Sequence, residues 1–181
     1  MQVFEAIKRR HSYRGDFVDE PVPREDLKRI VQAGIQAPSG YNGQSTSFVI
    51  VDDKSLLEQI AEIVPNDVLK GAPAVIVCLM DLHATSDKDY YFGVEDYAAA
   101  VENMLLALTD LGYASVWIDG ALRREDRSAR IRRLLGAPQE QQVRVILPIG
   151  RPVETGQQKE KQDFDQRAWF NRFGRPSAHE A

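Results

Sequence analysis

The chain carries one cysteine, Cys78, in 181 residues, so an internal disulfide is excluded. Its three histidines, His11, His83 and His179, are scattered, and no His or Cys pair has the spacing of metal ligands. The longest apolar run, Ala74 to Met80, falls far short of the roughly 20 residues that span a bilayer as a helix. At the N-terminus the basic residues follow a short amphipathic stretch, with no apolar centre and no small-residue cleavage site, so a cytoplasmic protein is expected. The 12 glycines form neither G-x-G-x-x-G nor a P-loop, and there is no G-x-S-x-G elbow. An excess charge of one sign is also missing. With 23 Lys and Arg against 27 Asp and Glu the formal charge is −4, which argues against a general nucleic-acid binder while allowing basic residues to gather around one phosphate.

What is present is an ordinary globular composition, 43% hydrophobic and 28% charged, in a chain long enough to bury roughly 70% of its unfolded surface around one core. Val3, Phe4 and Ile7 share one face of a first helix, and Leu27, Ile30, Val31 and Ile35 share one face of a second between Pro23 and Pro38. Ser47 to Asp52 reads as a strand, and Leu56, Leu57, Ile60 and Ile63 mark a third helix. Ala74 to Met80 reads as a strand buried on both faces. The strongest period-3.6 pattern runs from about Phe92 to Leu111 and stops at Gly112. Ala114 to Ile118 is expected to be a strand, Arg124 to Leu135 a basic helix, and Val143 to Gly150 the last strand. This alternation by itself suggests a parallel α/β sheet.

From Arg151 the chain turns polar, with one aromatic group at Trp169, Phe170 and Phe173. Such a segment cannot bury a core alone, and its aromatics suggest an anchored tail. Chemistry is concentrated in two stretches. In Lys8-Arg9-Arg10-His11-Ser12-Tyr13-Arg14 the guanidinium forks, the hydroxyl and the imidazole suit a phosphate monoester, although basic residues also complement the C-terminal end of a helix. In Ala37-Pro38-Ser39-Gly40-Tyr41-Asn42-Gly43-Gln44 the glycines permit close backbone approach, and Ser39, Asn42 and Gln44 offer donors and acceptors for a heterocycle's edge; the alternative is a plain connecting loop. Cys78, mid-strand, reads as inert packing.

These stretches, with the long helix closing at Leu111-Gly112, the Trp117-Ile118-Asp119-Gly120 run and Leu147 to Pro152, occur together in an order that resembles the FMN-dependent nitroreductase family over residues 2 to 165. The resemblance implies an α+β sandwich, with a central, mostly antiparallel sheet flanked by helices and completed by the partner's C-terminal extension. It divides the chain into an FMN-binding domain, 1–150, and an extension, 151–181, that packs on the partner of a homodimer with FMN at the interface. It further implies an oxidoreductase that takes hydride from NADH or NADPH and reduces a small planar acceptor, nitroaromatic or quinone-like, in alternating half-reactions through flavin N5.

By the same resemblance Arg10, His11, Ser12 and Arg14 form the N-terminal flavin motif, and positive charge there would stabilise the reduced, anionic flavin. Pro38, Ser39, Gly40, Asn42 and Gln44 line the isoalloxazine, and the turn at Asp119 and Gly120 offers a backbone N–H toward N5. Lys159 and Lys161 are the candidates for the phosphate, with Arg151 as a substitute, and Asn66 is a candidate edge contact. No residue is assigned as a catalytic acid or base, no metal is implied, and neither nucleic acid nor membrane is a partner. The stretch between Met80 and Phe92 is shorter than the excursion that shapes the pocket of larger members, which keeps a non-catalytic flavin-binding or redox-sensing module open as an alternative. Tyr90, Tyr91 and Phe92 read as core in preference to pocket, and Tyr41 is a candidate pocket aromatic.

Overall fold

The structure, a computed structural model, describes residues 1–83 and 91–174. In chain order the elements are helices α1 (Val3–Arg9) and α2 (Arg24–Ile35), strand β1 (Thr46–Val51), helices α3 (Lys54–Ile63) and α4 (Asp67–Lys70), strand β2 (Ala74–Asp81), helices α5 (Gly93–Asp110) and α6 (Arg127–Leu134), strand β3 (Gln141–Ile149) and the short α7 (Phe164–Arg167). Local chemistry sets several boundaries. Asp53 caps α3 by accepting from Leu56 N–H at 2.9 Å, and Asn66 caps α4 by accepting from Val68 N–H at 3.0 Å. Gly112 and Gly136 take φ of 80° and 66° just after α5 and α6, a conformation that costs glycine little. Helix α6 starts three residues later than the sequence pattern suggests, because Glu125 and Asp126 sit in the left-handed region at φ 54° and 55°.

The sheet is antiparallel throughout, in the order β1-β2-β3, which corrects the parallel arrangement suggested by alternation of elements. The continuous apolar character of β2 has another cause. Its odd residues, Val75, Val77 and Leu79, face a core with Ile60 of α3 and Ile131 of α6, while Ala74, Ile76, Cys78 and Met80 face Leu27 and Ile30 of α2 and Val101 and Met104 of α5. As the middle strand with helices on both sides, β2 has no solvent face and therefore no polar alternation. At the step from Cys78 to Leu79 its register against β3 shifts by one residue, skipping Arg144. This bulge lets Val143 and Ile146 share one face of β3 while Val145, Leu147 and Ile149 share the other. Arg144 then donates to the Tyr97 hydroxyl at 3.1 Å, with its guanidinium carbon 5.1 Å from that ring's centre. Cys78 is fully buried, which pushes its thiol pKa up to about 12 and keeps it as packing.

Ala114 to Ile118 is not a regular strand. It makes single bridges, Ile118 to Ile146 of β3 and Ala114 to Gly150 just beyond that strand, and turns aside at Ser115 to pair with Ser12. The first helix also departs from its expected packing: it buries Ala6, whereas Phe4 is 81% exposed and Val3 and Ile7 face outward with it. After β3 the chain folds back on residues 7–17. Phe17 bridges Pro152, Val153 donates to Asp16 O at 3.0 Å, and the Gln158 amide donates to Ile7 O and Arg10 O at 3.3 and 2.7 Å. Beyond it, Phe164, Phe170 and Phe173 are exposed, although Trp169 and Phe173 pack ring to ring at 4.0 Å. Among the described residues no helix is long and apolar enough to cross a membrane.

Because β2 forms the centre of both cores, truncating it is expected to be severe. Ile76→Ala should lower unfolding free energy by about 2–5 kcal/mol in chemical denaturation, the range for cavities made by large-to-small substitution. A loss below about 1 kcal/mol would mean that the helical layers can collapse onto the vacated space.

Candidate functional site

The chain's two chemical stretches are both tied to α5, at different levels. At its middle, Glu102 holds Arg10 Nε at 3.1 Å, so the guanidinium is fixed yet keeps its terminal nitrogens as donors. Next along the chain, His11 Nδ1 lies 3.0 Å from Arg9 O; a carbonyl can only accept, so Nδ1 is the donor. That Nε2 is buried without a hydrogen-bond partner among the described residues. Gly156 covers it so closely that a Cβ there would stand 2.1 Å away. Ser12 is exposed, and Arg14, also exposed, donates back to Ser12 O at 3.3 Å.

Gln158 clamps the C-terminal end of α1 and thereby delivers the following residues to the same place. A groove of about 720 Å³ is bordered by Lys8, Arg9, His11, Gly112, Lys159 and Lys161. Of the N-terminal motif only His11 borders this groove with the two late lysines; Arg10, Ser12 and Arg14 do not. Glu5, Asp110 and Glu160 share the border, so the positive charge is local and not a field over the whole face. Arg151 is spent elsewhere: its Nε pairs with Glu20 at 3.1 Å and its guanidinium lies 4.8 Å from the centre of the Tyr113 ring.

At the first turn of α5, Asp96 organises the second stretch. Its Oδ1 accepts from Gly40 N–H at 2.8 Å and its Oδ2 from the Ser45 hydroxyl at 2.6 Å. Ser39 Oγ accepts from Gln44 N–H at 3.0 Å, and Pro38, Ser39 and Gln44 border a small recess of about 70 Å³. Tyr41, Asn42 and Gln44 all have positive φ, between 48° and 56°, each costing about 1–3 kcal/mol when forced on a residue with a Cβ. Their side chains stand exposed, with the Tyr41 ring edge-on to Phe92 at 5.7 Å. Sequence reasoning missed Asp96. Its signal was an acidic residue at the start of an otherwise buried helix face, where a helix N-terminus accommodates negative charge.

The remaining expectations are scattered. Asp119 pairs with Arg123 at 3.0 Å across the 3₁₀ turn that Gly120 begins, and the space where a Cβ of Gly120 would stand is open, so its backbone is accessible. The Asn66 side-chain oxygen is engaged in capping α4. Tyr91 is 43% exposed but directs its hydroxyl to Met80 Sδ at 2.9 Å; Tyr90 lies outside the described residues. Among the described residues no group of His, Cys, Asp and Glu could hold a metal. A further concavity of about 810 Å³ lies under α3 and α4, but Glu20, Glu58 and Glu62 on its rim oppose a phosphate. The candidate donors are thus divided between the groove and the left-handed loop: one offers charge, the other amide groups and exposed side chains.

Comparison with known proteins gives this division a context. The model of the nitroreductase family matches residues 7–70 and 64–151. A protein of Methanothermobacter thermautotrophicus, named as a candidate NADH dehydrogenase/NAD(P)H nitroreductase, is 36% identical over 155 residues, which is 85% of this chain and 79% of that protein. The crystal structure of a similarly named protein from Parabacteroides distasonis superposes with a TM-score of 0.83 at 29% identity, covering 96% of this chain and 99% of the other. A nitroreductase-like protein of Desulfovibrio desulfuricans, solved in complex with FMN, gives a TM-score of 0.78 at 27% identity over 90% of this chain and 92% of its own. With the family model spanning most of the chain and the fold shared nearly end to end, this chain belongs to the nitroreductase family.

Proposed function

We propose that this chain is an NAD(P)H-dependent FMN oxidoreductase that acts as a homodimer and reduces a small planar acceptor of the nitroaromatic or quinone class. The observation that carries the reading is the groove of about 720 Å³ whose border includes Lys159 and Lys161 as well as Arg9 and His11, basic side chains drawn from segments far apart in the sequence. When bound, FMN supplies the hydride chemistry at its N5 atom. The residues of this chain bind, orient and polarise. Lys159 and Lys161 hold the phosphate, with Arg9 beside them, and Arg10, Ser12 and Arg14 present positive charge and a hydroxyl to the pyrimidine edge and ribityl chain. Pro38, Ser39, Gly40, Asn42 and Gln44 line the ring, and the accessible backbone at Gly120 offers its N–H without demanding a side chain at Asp119. Donor and acceptor use one slot in turn, giving ping-pong kinetics, and no side chain is required as an acid or base.

The dimer is supported by what a single chain leaves uncovered. Val3, Phe4 and Ile7 on α1, and Phe164, Phe170 and Phe173 near the C-terminus, expose large apolar side chains. A second copy would cover them, and within the 151–181 extension the described residues 163–174 would serve as the segment that reaches across. Residues 152–158, tied to the first residues of their own chain, set the point from which that segment departs.

The purified protein is expected to show a flavin spectrum, or to acquire one with FMN, and to bleach under anaerobic NADH or NADPH; a protein that takes up no flavin would overturn the reading. Arg10→Ala should weaken FMN binding by about 1.5–3 kcal/mol, the worth of a charge-assisted hydrogen bond, because Glu102, 47% exposed, can be solvated when its partner is removed. A chain ending at Gln162 should keep its fold and lose the dimer in sedimentation analysis. A stable dimer of that length would show that the tail is not the reaching segment.

A further inference from the structure

Asp96 is only 6% exposed, and both of its carboxylate oxygens are used by a single loop. Gly40 N–H binds one oxygen and the Ser45 hydroxyl binds the other, so one side chain closes the loop at both ends. Ser45 is itself fixed to the sheet, since its carbonyl accepts from Asp81 N–H at 2.9 Å. Gly40 is fixed by contact: a Cβ there would stand 2.4 Å from Phe92 side-chain atoms. Between these anchors Tyr41, Asn42 and Gln44 all occupy the left-handed region, which residues with a Cβ leave when nothing holds them. A carboxylate at the first turn of a helix, with two short hydrogen bonds, is well placed to hold them.

We propose that Asp96 is a positioning residue of the cofactor site: by clamping Gly40 and Ser45 it holds the loop in the left-handed form that directs Asn42 and Gln44 outward to the flavin. The proposal rests on the FMN reading for its consequence and on the geometry of the clamp for its mechanism. It also separates geometry from charge. An Asn at position 96 retains an oxygen for Gly40 N–H, and its amide can donate to the Ser45 oxygen once that hydroxyl rotates, so the clamp survives without the negative charge. An Ala leaves both loop donors unpaired and releases the strained backbone.

The test is FMN affinity by fluorescence titration, well below the unfolding temperature, in wild type, Asp96→Ala, Asp96→Asn and Ser45→Ala. Asp96→Ala is expected to raise the FMN dissociation constant about tenfold or more, as loss of orientation does elsewhere. Asp96→Asn should stay within about threefold of wild type, since its hydrogen bonds persist, and Ser45→Ala should fall between the two. Amide hydrogen exchange across residues 40–45 should speed up in the Ala variant and not in the Asn variant. If Asp96→Ala fails to fold, Ser45→Ala decides, and wild-type affinity in it overturns the role. An Asp96→Ala protein that merely melts earlier and binds FMN like wild type makes the residue structural only. An Asn variant as weak as the Ala variant shows that charge, and not the clamp, is what acts. Failure of wild type to bind FMN at all overturns the functional reading and this role with it, whereas binding that is insensitive to position 96 overturns the role alone.

Discussion

The burial of one face of α5 against β2 is the contact on which the rest of the site depends. Val101 and Met104 are fully buried and Leu108 nearly so, in the same cluster as Ile76, Cys78 and Met80 of the central strand. With its apolar face fixed, the helix presents its polar positions at set heights: Asp96 to the loop, Glu102 to Arg10, Asn103 to Ala33 O at 3.1 Å and Asp110 to the N-terminal amine of Met1 at 2.6 Å. Two segments far apart in sequence are thereby held to one rigid rod. A helix that crosses the domain against a strand buried on both faces is a stiffer support than any loop, because core packing leaves it few alternative positions.

Much of the fold was legible because burial writes a period into the sequence. The spacing of Val101, Met104, Leu105 and Leu108 located α5 to within a residue, and Leu27, Ile30 and Val31 located α2. Strand direction was not legible, since a strand covered on both faces reads the same in parallel and antiparallel sheets. Ala114 to Ile118 misled for a related reason. Its apolar residues are buried in the cores as a strand's would be, but its hydrogen bonds are divided among Ile146 of β3, Gly150 and Tyr13.

The candidate site was chosen from composition and not from geometry. Arginines, a serine and amide side chains advertised an anion and a heterocycle, and family resemblance arranged them. What no spacing could reveal is which groups hold others in place. Asp96 acts through two hydrogen bonds to residues 51 and 56 positions away, and Gln158 through bonds to carbonyls that have no side-chain signature. Arg144 is a further case: the bulge turns this charged residue of a buried strand out of the ladder and onto Tyr97, which no spacing announces.

The clamp of Gln158 on Arg10 joins residues 148 positions apart. During synthesis the first helix and its basic motif leave the ribosome well before the residues that complete the groove. The nascent chain therefore has no finished groove to offer until Gln158 and the residues beside it are available to fold, and contacts of such long sequence separation carry a loop-closure cost. Any ligand bound across that closure draws its free energy from both segments, so its occupancy stabilises the whole cooperative unit and not one region of it. A loaded molecule is, in this architecture, a molecule that has finished folding.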